Sequence, residues 1–361
     1  MTLTNLSREN PSSETTPVAT GTNAVAIGSG SVANGQHSFS IGQNTVSGTT
    51  GGQNYAVAIG YSATGTGAFS TSVGGFTDAT AQHALALGSY AQATGVRSSS
   101  IGRALASGAD SLASSLTSTS SSYGAQGASS VAIGKEAKAT GAGSIALSTK
   151  TYTGGAVATG SGSVAIGDGA AASGLLGMAI GRGATASGIM SMAYGRDSQA
   201  TQEESKAFGY RSYADVTGCF AYASGYFGAA NGDAQGRQYI LRKATTDATA
   251  TVLTTDAGNA TTNNQIRVPA NSVVVFDGVI TACQSGVAAY AGWRVEGMIT
   301  NDGGTTVIQN NTITAIKNES GWRCRLSAND STDSLVVTVT GEASHNIRWV
   351  ANIRTVETIY A

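Results

Sequence analysis

Residues able to do chemistry are sparse in this chain of 361 residues. Paired carboxylates come first, because an acid and a base of that type flanking one bond can cleave a glycosidic linkage. Asp78, Asp110, Glu136, Asp168, Asp197 and the Glu203-Glu204 pair recur in no common register. Asp277, Glu296 and Glu342 are distant in sequence and can meet only through folding. Glu296 lies near Trp293 and Arg294, so a buried ion pair with an arginine is its expected role. A Ser-His-Asp arrangement would have His345 as its only distal histidine, and no nucleophile elbow is present. Glycine recurs at corners rather than between one strand and one helix, so no phosphate loop is expected. Cys283 and Cys324 lack metal-ligand spacing and are expected to pack as apolar residues. On these residues no catalytic site is expected, and the chain reads as a protein that is not an enzyme. Three aromatic residues, Tyr290, Trp293 and Trp322, are the candidates for contact with a ligand, with a core role as their competing reading.

The elements that would position these residues follow from composition and repetition. Glycine occurs 49 times and proline three times, while charged residues make up only 11%. Hydrophobic residues make up 41% and the net charge is −1, which excludes the low hydrophobicity and high charge of a disordered chain. Near-neutral charge also argues against nucleic acid, which demands a basic face. Three cysteines, Cys219, Cys283 and Cys324, make no disulfide framework and fit folding in a reducing cytoplasm. The opening MTLTNLSRENPSSETTP has neither a basic start nor an apolar run, so no export leader is expected. No stretch reaches about 18 apolar residues, so no membrane insertion is expected.

A repeat organises most of the chain. Small-apolar-Gly triplets end at Gly28, Gly42, Gly60, Gly74, Gly88, Gly102, Gly134, Gly167, Gly181, Gly195 and Gly209. The commonest spacing is 14 residues, as from Gly60 to Gly74, and a second glycine often follows seven residues later, as at Gly35 and Gly95. Each unit is thus two short strands and two tight turns. Val25 and Ile27 point to one side of a strand and Ala26 to the other. A glycine at the corner admits backbone angles denied to residues with a Cβ. Roughly thirteen stacked coils at about 4.8 Å per step make a rod of about 60 Å. A single thin roll buries little, and small or apolar residues on both strand faces imply lateral partners, hence an oligomer.

The runs NAVAIGSGSVANG (23–35), SSVAIGKEAKATG (129–141) and GSVAIGDGAAASG (162–174) resemble the head repeats of trimeric autotransporter adhesins. That resemblance covers about 23–227 and implies a trimeric, left-handed parallel β-roll of about 14-residue repeats. Adhesins of that family have an export leader and a C-terminal membrane barrel, and neither is visible here. Three coils are longer, over 46–55, 116–127 and 149–162, and their Ser, Thr and Gly content reads as tolerated surface insertion rather than binding. His37 and His83 share a register, nine residues after their corner glycines, where a trimer would gather three imidazoles. The same slot holds Arg97, Leu176 and Met190, so no metal is expected there, and no cofactor anywhere. Tyr194, Phe208 and Tyr222 take the slot of Ile166 and Ile180, which reads as a core row closing the roll with a hydrophobic plug; an aromatic platform for sugar is the alternative.

After Gly236 the repeats stop. Strands are predicted over 238–243, 273–282, 293–299, 305–316, 322–328, 335–340 and 347–358. Val273, Val275 and Val279 alternate with Val274, Phe276 and Ile280, so both faces of that strand read as covered. Asn301-Asp302-Gly303-Gly304 reads as a turn between two strands. The fold class is therefore all-β, with the roll followed by an antiparallel β-sandwich of jelly-roll type. The segments GDAQGRQYILRKATTDATATVL (232–253), WRVEGMI (293–299) and DSLVVTVTGEASHNIRWVANIRTVE (333–357) resemble C-terminal modules of bacteriophage tail fibres. That resemblance implies a virion fibre assembled in the host cytoplasm. It also implies a docking arm at 1–22 for a tail or adaptor protein, the roll at 23–227, a neck at 228–243 and a sandwich at 244–361 facing host glycan or protein. The expected function is host attachment by a non-enzymatic homotrimer. A purely structural virion part, a glycan-degrading tailspike and a bacterial autotransporter passenger stand as alternatives.

Overall fold

A computed structural model describes residues 15–49, 55–115, 122–149, 154–228 and 230–360. Every regular element among them is a β-strand, so no helix is long and apolar enough to cross a membrane. The chain divides into two compact units, Met1–Leu176 and Gly177–Ala361.

The first unit is a parallel β-solenoid. Its longer rungs, from Val25–Ile27 through Phe39–Gln43 and Val57–Tyr61 to Val164–Ile166, stack in parallel register, with Ala26 opposite Ser40 and Ser40 opposite Ala58. Two-residue rungs such as Val32–Ala33 and Val46–Ser47 form the second wall. The coils are tied by their backbones, as where Val25 N–H donates to the Ser38 carbonyl at 2.9 Å. Val18–Ala19, in the segment read as the docking arm, pairs with Val32–Ala33 as a rung of this wall; residues 1–14 lie outside the described residues. Parts of the three longer coils, 50–54, 116–121 and 150–153, also lie outside them.

The coil interior is built from the smallest side chains. Ala26, Ala58, Ala86, Ala132 and Ala146 are buried, as are Ser40, Ser72 and Ser100 in the same register. The hydroxyls of these long-rung serines are satisfied locally: Ser72 Oγ donates to Thr77 Oγ1 at 2.7 Å and Ser100 Oγ to the Ala104 carbonyl at 2.7 Å. An alanine interior yields only about 0.8 kcal/mol per buried methyl-sized group. The larger Val, Ile and Leu side chains flank each inward Ala or Ser and point outward, only half-buried, with Ile59, Ile101 and Ile133 exposed.

All the corner glycines have positive φ, from 75° at Gly102 to 138° at Gly60 and Gly74. At Gly60 a Cβ would stand 1.9 Å from the Gly74 carbonyl oxygen of the next coil. Gly60→Ala is therefore expected to cost at least about 1–3 kcal/mol, read as a lowered midpoint in thermal unfolding of the full chain.

The second unit begins with four more coils, whose long rungs Met178–Ile180, Met192–Tyr194, Lys206–Gly209 and Phe220–Ala223 run parallel. The last rung then pairs antiparallel with strand Ala234–Thr245, and the chain changes architecture. The order across the large antiparallel sheet is Phe220–Ala223, Ala234–Thr245, Ile347–Ile359, Ser272–Gln284, Tyr290–Asp302, Thr305–Lys317. The final strand is thus inserted between the first and the start of a three-strand meander. A smaller sheet pairs Arg323–Asn329 with Ser334–Thr340, whose other edge takes Thr251–Val252 and Ile266–Arg267. All seven long strands expected from the sequence are present; six are longer than expected, and the one expected over 322–328 is Arg323–Asn329. The Asn301–Gly304 turn joins two of them, with Gly303 and Gly304 at positive φ. Between the sheets Val274, Phe276, Ile280, Val295, Val337 and Trp349 are buried.

Two expectations change here. Val273, Val275 and Val279 are exposed, so one chain covers only one face of the Ser272 strand. Tyr194 and Tyr222, 55% and 56% exposed, extend the outward row of the coils rather than an internal core row, because the inward slot belongs to Ala193 and Ala221.

Candidate functional site

The antiparallel register collects charge on the outer face of the large sheet. Asp277 stands opposite Glu296 on one side and Arg354 on the other, and Arg354 opposite Gln238. Cross-strand neighbours on one face have Cβ atoms about 4.5–5.5 Å apart, so the two carboxyl-bearing side chains adjoin. Arg354 Nη2 donates to Asp277 Oδ2, with both side chains more than half exposed. One row along, Val279 stands between Arg294 and Asn352, and Gln238 Nε2 donates to Asn352 Oδ1 at 3.0 Å. These polar groups line a depression of about 510 Å³. A neighbouring one of about 370 Å³ adds Phe220, Tyr222 and Val356. Two carboxylates, two guanidiniums and two amides beside aromatic rings can hold either a hydroxyl-rich ligand or a complementary charged surface.

Sequence reasoning named Asp277 and Glu296, and the fold brings them together. Glu342 sits apart, with His345 Nδ1 3.1 Å from its carboxylate. The buried arginine ion pair expected for Glu296 exists elsewhere. Arg237 Nη1 lies 2.7 Å from Asp215 and its Nε 2.7 Å from Glu357, all three buried. Gln235 donates to Glu357, and Arg267 reaches Asp215 at 3.0 Å. This cluster fastens the last coils to the large sheet. Burial pushes the Glu357 carboxyl above the ordinary carboxylate value, against the pull of Arg237. Burial likewise raises the Cys219 thiol to about 11 and the Cys324 thiol to about 11, so neither is a nucleophile at neutral pH.

Two of the aromatic contact candidates turn inward. Trp293 and Trp322 are buried against Trp349, with ring centroids 5.7 and 5.8 Å from it, and cannot reach a ligand without opening the core. Tyr290 is exposed at the end of its strand, with Lys317 Nζ 3.6 Å from its ring centroid. His37 and His83 are the ends of a stack that runs His37, Tyr55, Phe69, His83 at 5.0 to 5.2 Å between centroids. The shared register of the two histidines is legible in the sequence but the rings between them are not, because the longer coil over 46–55 breaks the 14-residue spacing. Among the described residues no group of three His, Cys, Asp or Glu side chains stands close enough to hold a metal.

Comparison with known proteins bears on the coils. The YadA head domain repeat matches at 19–45, 79–104 and 125–147, and in overlapping copies across 154–212. No curated protein matches the sequence. Among solved structures the chain is similar to the tailspike protein gp49 from Acinetobacter baumannii bacteriophage Fri1, described as a capsular polysaccharide depolymerase. Identity is 9%, coverage is 94% of this chain and 70% of that one, and the TM-score is 0.24, too low to carry an argument from superposition. The expectation that this chain is not an enzyme is corrected, on the register of its own sheet rather than on that likeness. The physical reason lies in the sheet. The exclusion rested on scattered acids, and folding sets Asp277 beside Glu296.

Proposed function

We propose that this chain is a virion-associated fibre that attaches a bacterial virus to glycan on its host surface, working as a homotrimer. The observation that carries this reading is the series of adhesin-type head repeats whose Val and Ile rows face outward, half-buried, from an alanine-filled coil. Such rows are what lateral packing of identical chains covers. The C-terminal unit is then a tail-fibre module, the segment 1–22 docks on a tail or adaptor protein, and assembly takes place in the host cytoplasm. Three sites per fibre and several fibres per particle make weak contacts cumulative.

Binding of labelled full-length chain to a panel of capsulated and acapsular bacterial strains tests this. Binding to particular capsulated strains is the expected result, and binding to none contradicts it. Tyr290→Ala is expected to lower per-site affinity about two- to fivefold, the value of an exposed aromatic contact of about 0.5–1 kcal/mol. Unchanged binding would remove Tyr290 from the contact surface.

Cleavage of the bound glycan is the second reading, favoured by the Asp277–Glu296 juxtaposition. Release of reducing sugar from purified capsule, lost in Asp277→Asn and Glu296→Gln, would establish it; no release from any capsule that the chain binds would reject it.

A further inference from the structure

We infer that the outer face of the large antiparallel sheet, around Asp277, Glu296, Arg294 and Arg354, is the surface on which further copies of this chain pack. This inference rests on the homotrimer reading and gives it a location beyond the coils. The first observation is the one-sided burial of long strands. In Ser272–Gln284 and Ile347–Ile359 alternate residues are buried, while the other set includes Val275 at 53% and Val356 at 68% exposure. Ile240, Val279, Met298 and Val350 are further exposed apolar side chains on this face.

The second observation is the edge strand Thr305–Lys317. From Gln309 onward only Ile313 is half-buried, and Ile316 is 68% exposed. More than half of this strand therefore has no core behind it. An uncovered edge of this length invites pairing with another chain.

Charge selects the occupant. The face carries both signs, Asp277 and Glu296 against Arg294 and Arg354. Asp277 and Arg354 pair within the chain, whereas among the described residues Arg294 and Glu296 form no ion pair. A copy rotated about a three-fold axis can bring its guanidiniums to those carboxylates, so one face carries both halves of a heterologous contact. Continuity supports the same occupant. Phe220 pairs with Gln238 and Tyr222 with Gly236, so the outward row of the last coil runs directly into this face.

The test uses the full-length chain with Cys283→Ser, which removes the exposed thiol on this face, and Val356→Cys, treated with a short bis-maleimide linker. The expected result is linked dimers in denaturing gels for most chains, and none for a Ser331→Cys control on an exposed turn. A second variant, Val275→Asp with Val356→Asp, is expected to lower the thermal midpoint of the wild-type assembly while leaving tryptophan emission of the folded chain unchanged. Both altered residues are exposed in the single chain, so its own fold has no need of them. No linked dimers from a chain of trimeric native mass would overturn the inference and leave the homotrimer intact through its coils. A monomeric native mass would overturn both. Loss of glycan cleavage in Asp277→Asn, with no linking at Val356→Cys, would also overturn it and assign the depression to a ligand.

Discussion

Replacing Arg237 by alanine is expected to cost the C-terminal unit about 3–5 kcal/mol, because two buried carboxylates, Asp215 and Glu357, lose their shared guanidinium. For a unit of this size that is a fall of about 10 °C in thermal midpoint. All three tryptophans, Trp293, Trp322 and Trp349, lie in this unit, so their emission during heating reports it directly. Arg237→Lys is expected to fall between, since an ammonium cannot serve both carboxylates with the geometry of a guanidinium. A midpoint within a degree or two of wild type in Arg237→Ala would mean that the cluster does not hold the coils to the sheet. The same cluster sets a pH dependence. Glu357 has its folded pKa raised above the ordinary 4.5, chiefly by burial, so the folded state binds its proton more tightly than the unfolded one. Its stabilising contribution is complete below about pH 4.5 and is lost as pH rises through the raised value. Glu357→Gln is expected to remove that slope, leaving a chain whose stability relative to wild type improves as pH rises above 4.5. A slope unchanged in Glu357→Gln would assign the pH dependence to other groups.

The second large effect concerns the outward rows of the coils. Ile59, Ile101 and Ile133 are exposed in the single chain, so replacing all three by aspartate spares the alanine interior. Aspartates in a row buried between copies must be desolvated without partners, which no interface of this kind tolerates. The wild-type midpoint is expected to rise with protein concentration, as for any folded oligomer in equilibrium with unfolded monomers. The triple variant is expected to melt lower, with a midpoint that does not depend on concentration. Equal midpoints and equal concentration dependence would show that these rows face solvent in the working protein.

Much of the fold was legible from spacing. A 14-residue return of Ala-Ile-Gly forces a coil, and the positive φ at Gly60 and its neighbours is the reason the corner must be glycine. Period-two alternation is clearest where a strand buries one face, as in Ser272–Gln284 and Ile347–Ile359. Which apolar set faces inward was harder. In the coils alanine and serine take the interior and the isoleucines point out, since two walls this close leave no room for a branched side chain. Alternation in the Ser272 strand likewise could not say that the second face stays open in one chain. The site depended on register, which the sequence does not display: Asp277 meets Glu296 and Arg354 only after three strands align. Arg237 meets Glu357 by the same alignment, with Gln235 reaching that carboxylate across 122 residues. The cost of missing these pairings was an exclusion of carboxylate chemistry that the fold does not sustain.

The homotrimer is the central claim, and native mass by light scattering of the full-length wild-type chain tests it most directly. The chain mass is 35.9 kDa, and three times that value, about 108 kDa, is the mass the intertwined fibre requires. A single species at the chain mass of 35.9 kDa would contradict it and leave each coil stack to stand on its alanine interior alone.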